Sequence, residues 1–134
     1  KSPTPALRRT LAGTLFDLGL LEEARGMYRE LEAADSLDLT ALGMLGVIAV
    51  RQGDTATAER FVTRLGAISV KYLYGEHIHW QGRIAAAEGQ CDRAVSLLTA
   101  ATREGRSYLS YREDPLLEPI KDCPSFKRFM QPGD

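Results

Sequence analysis

The chain has 134 residues, enough for one domain with a buried core. Its 17 basic and 18 acidic residues leave a net charge of −1, which argues against nucleic acid or an acidic membrane surface as the main partner. No apolar run approaches the roughly 18 residues that a membrane span needs, and the longest, Met44 to Val50, is interrupted by Gly46.

In chain order, residues 1–4 are expected to be mobile. The chain opens at Lys1 without an initiator Met or a signal peptide, so it reads as a piece of a longer protein. Pro5 suits the first turn of a helix, where its missing N–H costs nothing. That helix should run to about Leu18, with Leu7, Leu11, Leu15 and Leu18 along one side. A second helix, about 21–34, carries Glu22 and Glu23 in its first turn, where negative charge suits the helix dipole. Asp38 or Ser36 is placed to cap a third helix, about 38–52, which is apolar nearly all round and so should be sandwiched or line a groove. Asp54 opens a fourth helix that ends near Gly66. A fifth ends near Glu88 and a sixth spans about 92–104, with Gly105 as its stop. Beyond it, Asp114-Pro115 and Cys123-Pro124 each begin a short helical turn, carrying Leu116 and Leu117, then Phe126, Phe129 and Met130.

Three segments share a Gly followed five residues later by Ala: Gly19 and Ala24, Gly53 and Ala58, Gly89 and Ala94. A larger apolar residue follows four positions on, at Tyr28, Val62 and Leu98, and seven before each Gly sits Ala12, Gly46 or Gly82. Gly takes the left-handed conformation that ends a helix, and small residues let antiparallel backbones approach. One such hairpin cannot bury both its faces, so several must stack. The expected fold is all-α: a right-handed α-solenoid of three hairpins, at about 5–36, 38–70 and 74–106, plus a C-terminal cap at 108–131, in a single domain.

These residues resemble the tetratricopeptide repeat over about 5–104. The family's aromatic positions are not kept: its Trp falls at Arg8, Leu42 and Ile78, its Tyr at Leu15, Ala49 and Ala85. The tail, over about 113–130, resembles the ending of repeat arrays in bacterial multidomain regulators, which follow a serine/threonine kinase, a nucleotide cyclase or a winged-helix activator domain. The resemblance implies function in a concave groove lined by the first helix of each hairpin. Carried over by position, that groove is Arg9, Gly13, Phe16 and Asp17, then Gly43, Val47, Val50 and Arg51, then Glu76, His79, Arg83, Ala86 and Ala87. Its apolar floor and rim arginines fit a protein or peptide partner with acidic and apolar side chains. The Lys and Asn clamp of chaperone-binding members is not matched, because Gly13 stands where the Asn would.

No catalytic constellation is legible, and no cofactor or metal is expected. His77 and His79, two apart on a helix, point roughly 200° away from each other and cannot share a metal. Trp80 reads as packing. Cys91 and Cys123 match no metal spacing and read as reduced thiols, which fits the cytoplasm. A second reading is a homodimer formed through apolar patches near Tyr108, Phe126 and Phe129.

Overall fold

In the computed structural model, which describes residues 3–131, all regular structure is helical. Seven α-helices follow in order: α1 (Pro5–Asp17), α2 (Leu21–Ala34), α3 (Leu39–Arg51), α4 (Thr55–Gly66), α5 (Glu76–Ala87), α6 (Cys91–Arg103) and α7 (Pro124–Met130). Two 3₁₀ helices, Tyr108–Tyr111 and Pro115–Ile120, lie between α6 and α7. Of the N-terminal stretch expected to be mobile, Lys1 and Ser2 lie outside the described residues. Among the described residues no helix is long and apolar enough to cross a membrane.

Local chemistry sets the helix ends. Thr4 caps α1, its Oγ1 accepting the Leu7 N–H at 3.2 Å, with Pro5 at the first position. Of the two candidates for the α3 cap, Asp38 does it: its Oδ1 accepts the Ala41 N–H at 3.0 Å. Asp54 caps α4 through both carboxylate oxygens, which accept the Thr57 N–H and hydroxyl at 3.1 and 2.6 Å. The three repeated glycines end helices identically. Gly19 N–H donates to Phe16 C=O and Leu20 N–H to Leu15 C=O; Gly53 and Asp54, then Gly89 and Gln90, repeat the pattern. Paired bonds of this kind form a Schellman turn, which needs positive φ at the glycine, and φ is 80°, 78° and 73° at the three.

The chain divides into two compact units, Lys1–Phe61 and Val62–Asp134, with the boundary inside α4. In the first, α1 packs on α2 and α2 on α3. Ala12, Ala24 and Ala41 are fully buried, as close backbone approach requires, and Phe16, Tyr28 and Leu31 fill the space around them. Every residue of α3 from Ala41 to Ala49 is buried, as its all-round apolar sequence predicts. On α1 the buried residues are Ala12 and Phe16, opposite the leucine side; Leu7, Leu11 and Leu18 are exposed.

In the second unit α5 packs on α6, the 3₁₀ helix Pro115–Ile120 on α5, and α7 on α6. A Cβ at Gly82 would sit 2.7 Å from Leu98 Cδ2, so a larger residue there would make the buried Leu98 side chain shift. Ala85, Ala86, Ala94, Leu98, Tyr111, Leu117, Ile120 and Phe126 make one core. The tail therefore closes the apolar side of α5 and α6, burying Leu116, Leu117 and Phe126. Cys91 at the start of α6 and Cys123, the residue before α7, are joined as a disulfide with Cα atoms 6.4 Å apart. This corrects the expectation of two reduced thiols, and it withdraws the support those thiols lent to the cytoplasm. Folding brings together two residues that the sequence separates by a helix and both 3₁₀ turns.

Candidate functional site

The residues assigned to a groove fall into two clusters, one per unit. In the first unit Phe16 lies in the last turn of α1 and Arg51 ends α3, and the Arg51 guanidinium carbon lies 4.3 Å from the centre of the Phe16 ring. The contact is a cation–π interaction, and Arg51 is otherwise exposed. Arg51 and Asp17 are exposed, Val50 is half-buried, and Phe16 and Val47 are buried. Arg9 is engaged differently. Its Nε donates to Asp38 Oδ2 at 2.9 Å, tying α1 to the cap of α3. Nearby, Tyr28 is pushed up to about 12, by burial first and then by the Asp17 and Asp38 carboxylates.

In the second unit Glu76, His79 and Arg83 are inward-facing members of a polar network. Arg83 Nε donates to Asp114 Oδ2 at 2.8 Å, and its guanidinium stacks on the Trp80 ring at 4.4 Å. Asp114 in turn caps the helix Pro115–Ile120, accepting the Leu116 N–H at 3.0 Å. Trp80 Nε1 donates to Glu76 at 3.0 Å, and Arg106 pairs with the same carboxylate. Trp80 is buried, in agreement with a packing role.

His79 is 3% exposed, the most buried of the three polar groove residues of this unit. Its Nδ1 lies 3.0 Å from the Tyr111 hydroxyl, and the two rings stack with centroids 5.3 Å apart. Arg106 approaches Nε2 at 3.5 Å. Arg106 only donates, so Nε2 accepts and the proton sits on Nδ1, which donates to Tyr111. Burial, followed by the charges of Arg83 and Arg106, pushes the imidazole down to about 2. The ring is a neutral structural link between α5 and the 3₁₀ turn Tyr108–Tyr111. Burial likewise pushes the Tyr111 phenol up.

The partners of these groups (Asp38, Asp114, Arg106 and Tyr111) were not singled out as site residues in the sequence. Asp114 and Asp38 were visible as helix caps, but their second bond, to an arginine about thirty residues earlier, has no local signal. Among the described residues no group of three His, Cys, Asp or Glu is placed to hold a metal ion. Phe126, named for a self-association patch, is buried in the core, and Phe129 packs against it. Beside the network, Tyr72 and Tyr74 are exposed and have φ of 67° and 50°, a conformation that side-chain-bearing residues rarely adopt. Compared with protein-family models, curated proteins and solved structures, the chain gives no match.

Proposed function

We propose that the chain is a non-catalytic protein-interaction module of tetratricopeptide-repeat type, a right-handed stack of three helical hairpins. On this reading it belongs to a larger bacterial regulator of the kinase, cyclase or activator kind. Its partner is a protein or peptide rather than nucleic acid or membrane. Support for the repeat comes from three identical Schellman turns at Gly19, Gly53 and Gly89 and from the buried alanines that follow each one.

The observation that carries the binding role is Arg51 stacked on Phe16 at the exposed ends of α1 and α3. A guanidinium held over a ring offers a bidentate grip on a carboxylate, and Val50 beside it offers apolar contact. An acidic peptide with an adjoining apolar side chain matches that pair. Glu76, His79 and Arg83 take a different part: they hold the C-terminal segment against α5, so the expected ligand surface is Gly13, Asp17, Val50 and Arg51.

The test is to pan a random peptide library on the immobilised full chain. Enriched peptides should pair acidic with apolar residues, and Arg51→Glu should weaken them at least about tenfold, some 1.4 kcal/mol. Arg112→Glu, on the exposed surface of the tail, should leave them unchanged. No enrichment, or binding indifferent to Arg51→Glu, overturns the proposal.

A further inference from the structure

The last helix leans on a covalent tie. α7 has seven residues, too few to keep a helical shape in water by themselves. Phe126 is its one buried residue; Phe129 and Met130 are half-buried, and Lys127 and Arg128 are exposed. Cys123, at its N-cap, makes no side-chain capping bond. What α7 has instead is the disulfide to Cys91, the first residue of α6, which spans 32 positions of sequence. A disulfide that closes a loop this long removes much of the freedom the chain would gain by opening.

The tie lies past the buried polar anchors of the tail. Asp114 is held by Arg83 at 2.8 Å, and the Tyr111 hydroxyl lies 3.0 Å from His79 Nδ1. Leu117 and Ile120 are buried in the core. All four precede Cys123. Opening the disulfide therefore frees α7 and leaves Pro115–Ile120 in place. The bond is also open to attack. Cys91 and Cys123 are each half-buried, at the edge of the core and not inside it, so a small thiol can approach. A disulfide sealed in a core is inert, whereas one at the surface exchanges.

We propose that Cys91–Cys123 is a reversible latch on α7, opened by a dithiol reductant. One thiolate of the reductant attacks one cysteine sulfur and forms a mixed disulfide, and the other cysteine leaves as a thiolate. The reductant's second thiol then displaces the first cysteine. The protein gains two electrons and two protons and ends with two thiols, and the reductant ends as a disulfide. α7 then comes away from α6. It uncovers Tyr111, which is 1% exposed while latched and packs on Phe129 with ring centroids 6.1 Å apart. Return is guided by Ser125, whose hydroxyl donates to Asp92 Oδ1 at 2.8 Å and lies 3.1 Å from Cys91 Sγ. That contact sets α7 back in register, so an oxidant of the disulfide class restores the same bond. The latch belongs to the second unit and stands independently of the peptide site at Arg51.

Thiol labelling and limited trypsin digestion of the full chain test it. After oxidation with glutathione disulfide, neither cysteine should take iodoacetamide; after dithiothreitol, both should. Reduction should speed cleavage after Lys127 and Arg128 at least about tenfold while cuts in the first unit keep their rates. Removing the reductant and oxidising again should restore the slow rate. The Cys91→Ser, Cys123→Ser double variant should be cut at the fast rate with or without dithiothreitol. Cysteines that still label after oxidation would overturn the proposal, as would cleavage after Lys127 and Arg128 that ignores reduction. Reduction that speeds cuts throughout the second unit would make the bond a structural staple and overturn it equally. So would a chain that stays open on re-oxidation.

Discussion

Arg83 donates to Asp114 at 2.8 Å, and Arg9 donates to Asp38 at 2.9 Å, through the same atom pair. In each case the aspartate caps a helix beyond the hairpin, and in each case its side chain is almost fully buried, at 3% and 4%. One arginine on the first helix of a hairpin thereby fixes the start of a later helix: α3 after the first hairpin, and Pro115–Ile120 after α5 and α6. The correspondence makes Pro115–Ile120 the counterpart of α3, and α7 packs on α6. A short tail takes the place of a further hairpin.

Arg83→Ala should therefore loosen the tail first. It leaves the Asp114 carboxylate buried without its cation, a change that costs about 3 kcal/mol in a buried pair. Limited proteolysis should cut between Ser107 and Asp122 well before any cut in the first unit. Arg83→Lys should rescue only part of the loss, because a point charge cannot both stack on Trp80 and reach Asp114 as guanidinium does. Cleavage rates equal to wild type would show that the pair does not anchor the tail.

His79 gives the second unit an acid-side weakness. Its folded pKa lies near 2, below the ordinary 6.5 of the unfolded chain. Below pH 6.5 the unfolded state binds a proton that the folded state refuses, so stability falls as pH falls through that value and keeps falling towards 2. The slope is at most about 1.4 kcal/mol per pH unit for this one group. Urea midpoints measured between pH 7.5 and 5 should decline in the wild type. They should decline less in His79→Gln, which keeps a polar group beside Tyr111 but cannot titrate. Parallel declines would place the acid sensitivity elsewhere.

Two glycines with similar φ should respond differently to alanine. Gly75 and Gly89 have φ of 84° and 73°, so each substitution incurs the left-handed backbone cost of about 1 kcal/mol. At Gly89 a Cβ meets nothing within 4 Å, whereas at Gly75 it would lie 2.5 Å from the Ala101 carbonyl oxygen. Gly75→Ala must push α6 away from the start of α5 and should cost several kcal/mol, about three times the Gly89→Ala loss. Thermal unfolding of the two variants measures the difference, and equal losses would contradict the close approach.

Helix positions were legible because each end is set by residues within a few places of it: Pro5, Asp38 and the repeated glycines are local signals. The tail was legible for the same reason, through Asp114-Pro115 and Cys123-Pro124. The facing of α1 was not. Four leucines outweigh Ala12 and Phe16 in any count of apolar residues, yet close packing on α2 selects a small residue and one ring. Nor could spacing show that Cys91 and Cys123 pair, because their distance depends on how α7 docks. The roles of His79 and Arg83 were hidden for a related reason. Side chains at groove positions are available to a ligand only when no later segment binds them, and here Asp114 and Tyr111 do.

The central claim is that ligand recognition belongs to the Phe16–Arg51 face while the matching positions of the second unit are engaged in holding the tail. Amide chemical shifts of the full chain, followed while an enriched acidic peptide is titrated in, test this most directly. The account predicts shifts concentrated at Gly13, Asp17, Val50 and Arg51, with Glu76, His79 and Arg83 unmoved. Shifts centred on Glu76, His79 and Arg83, with Arg51 silent, would contradict it.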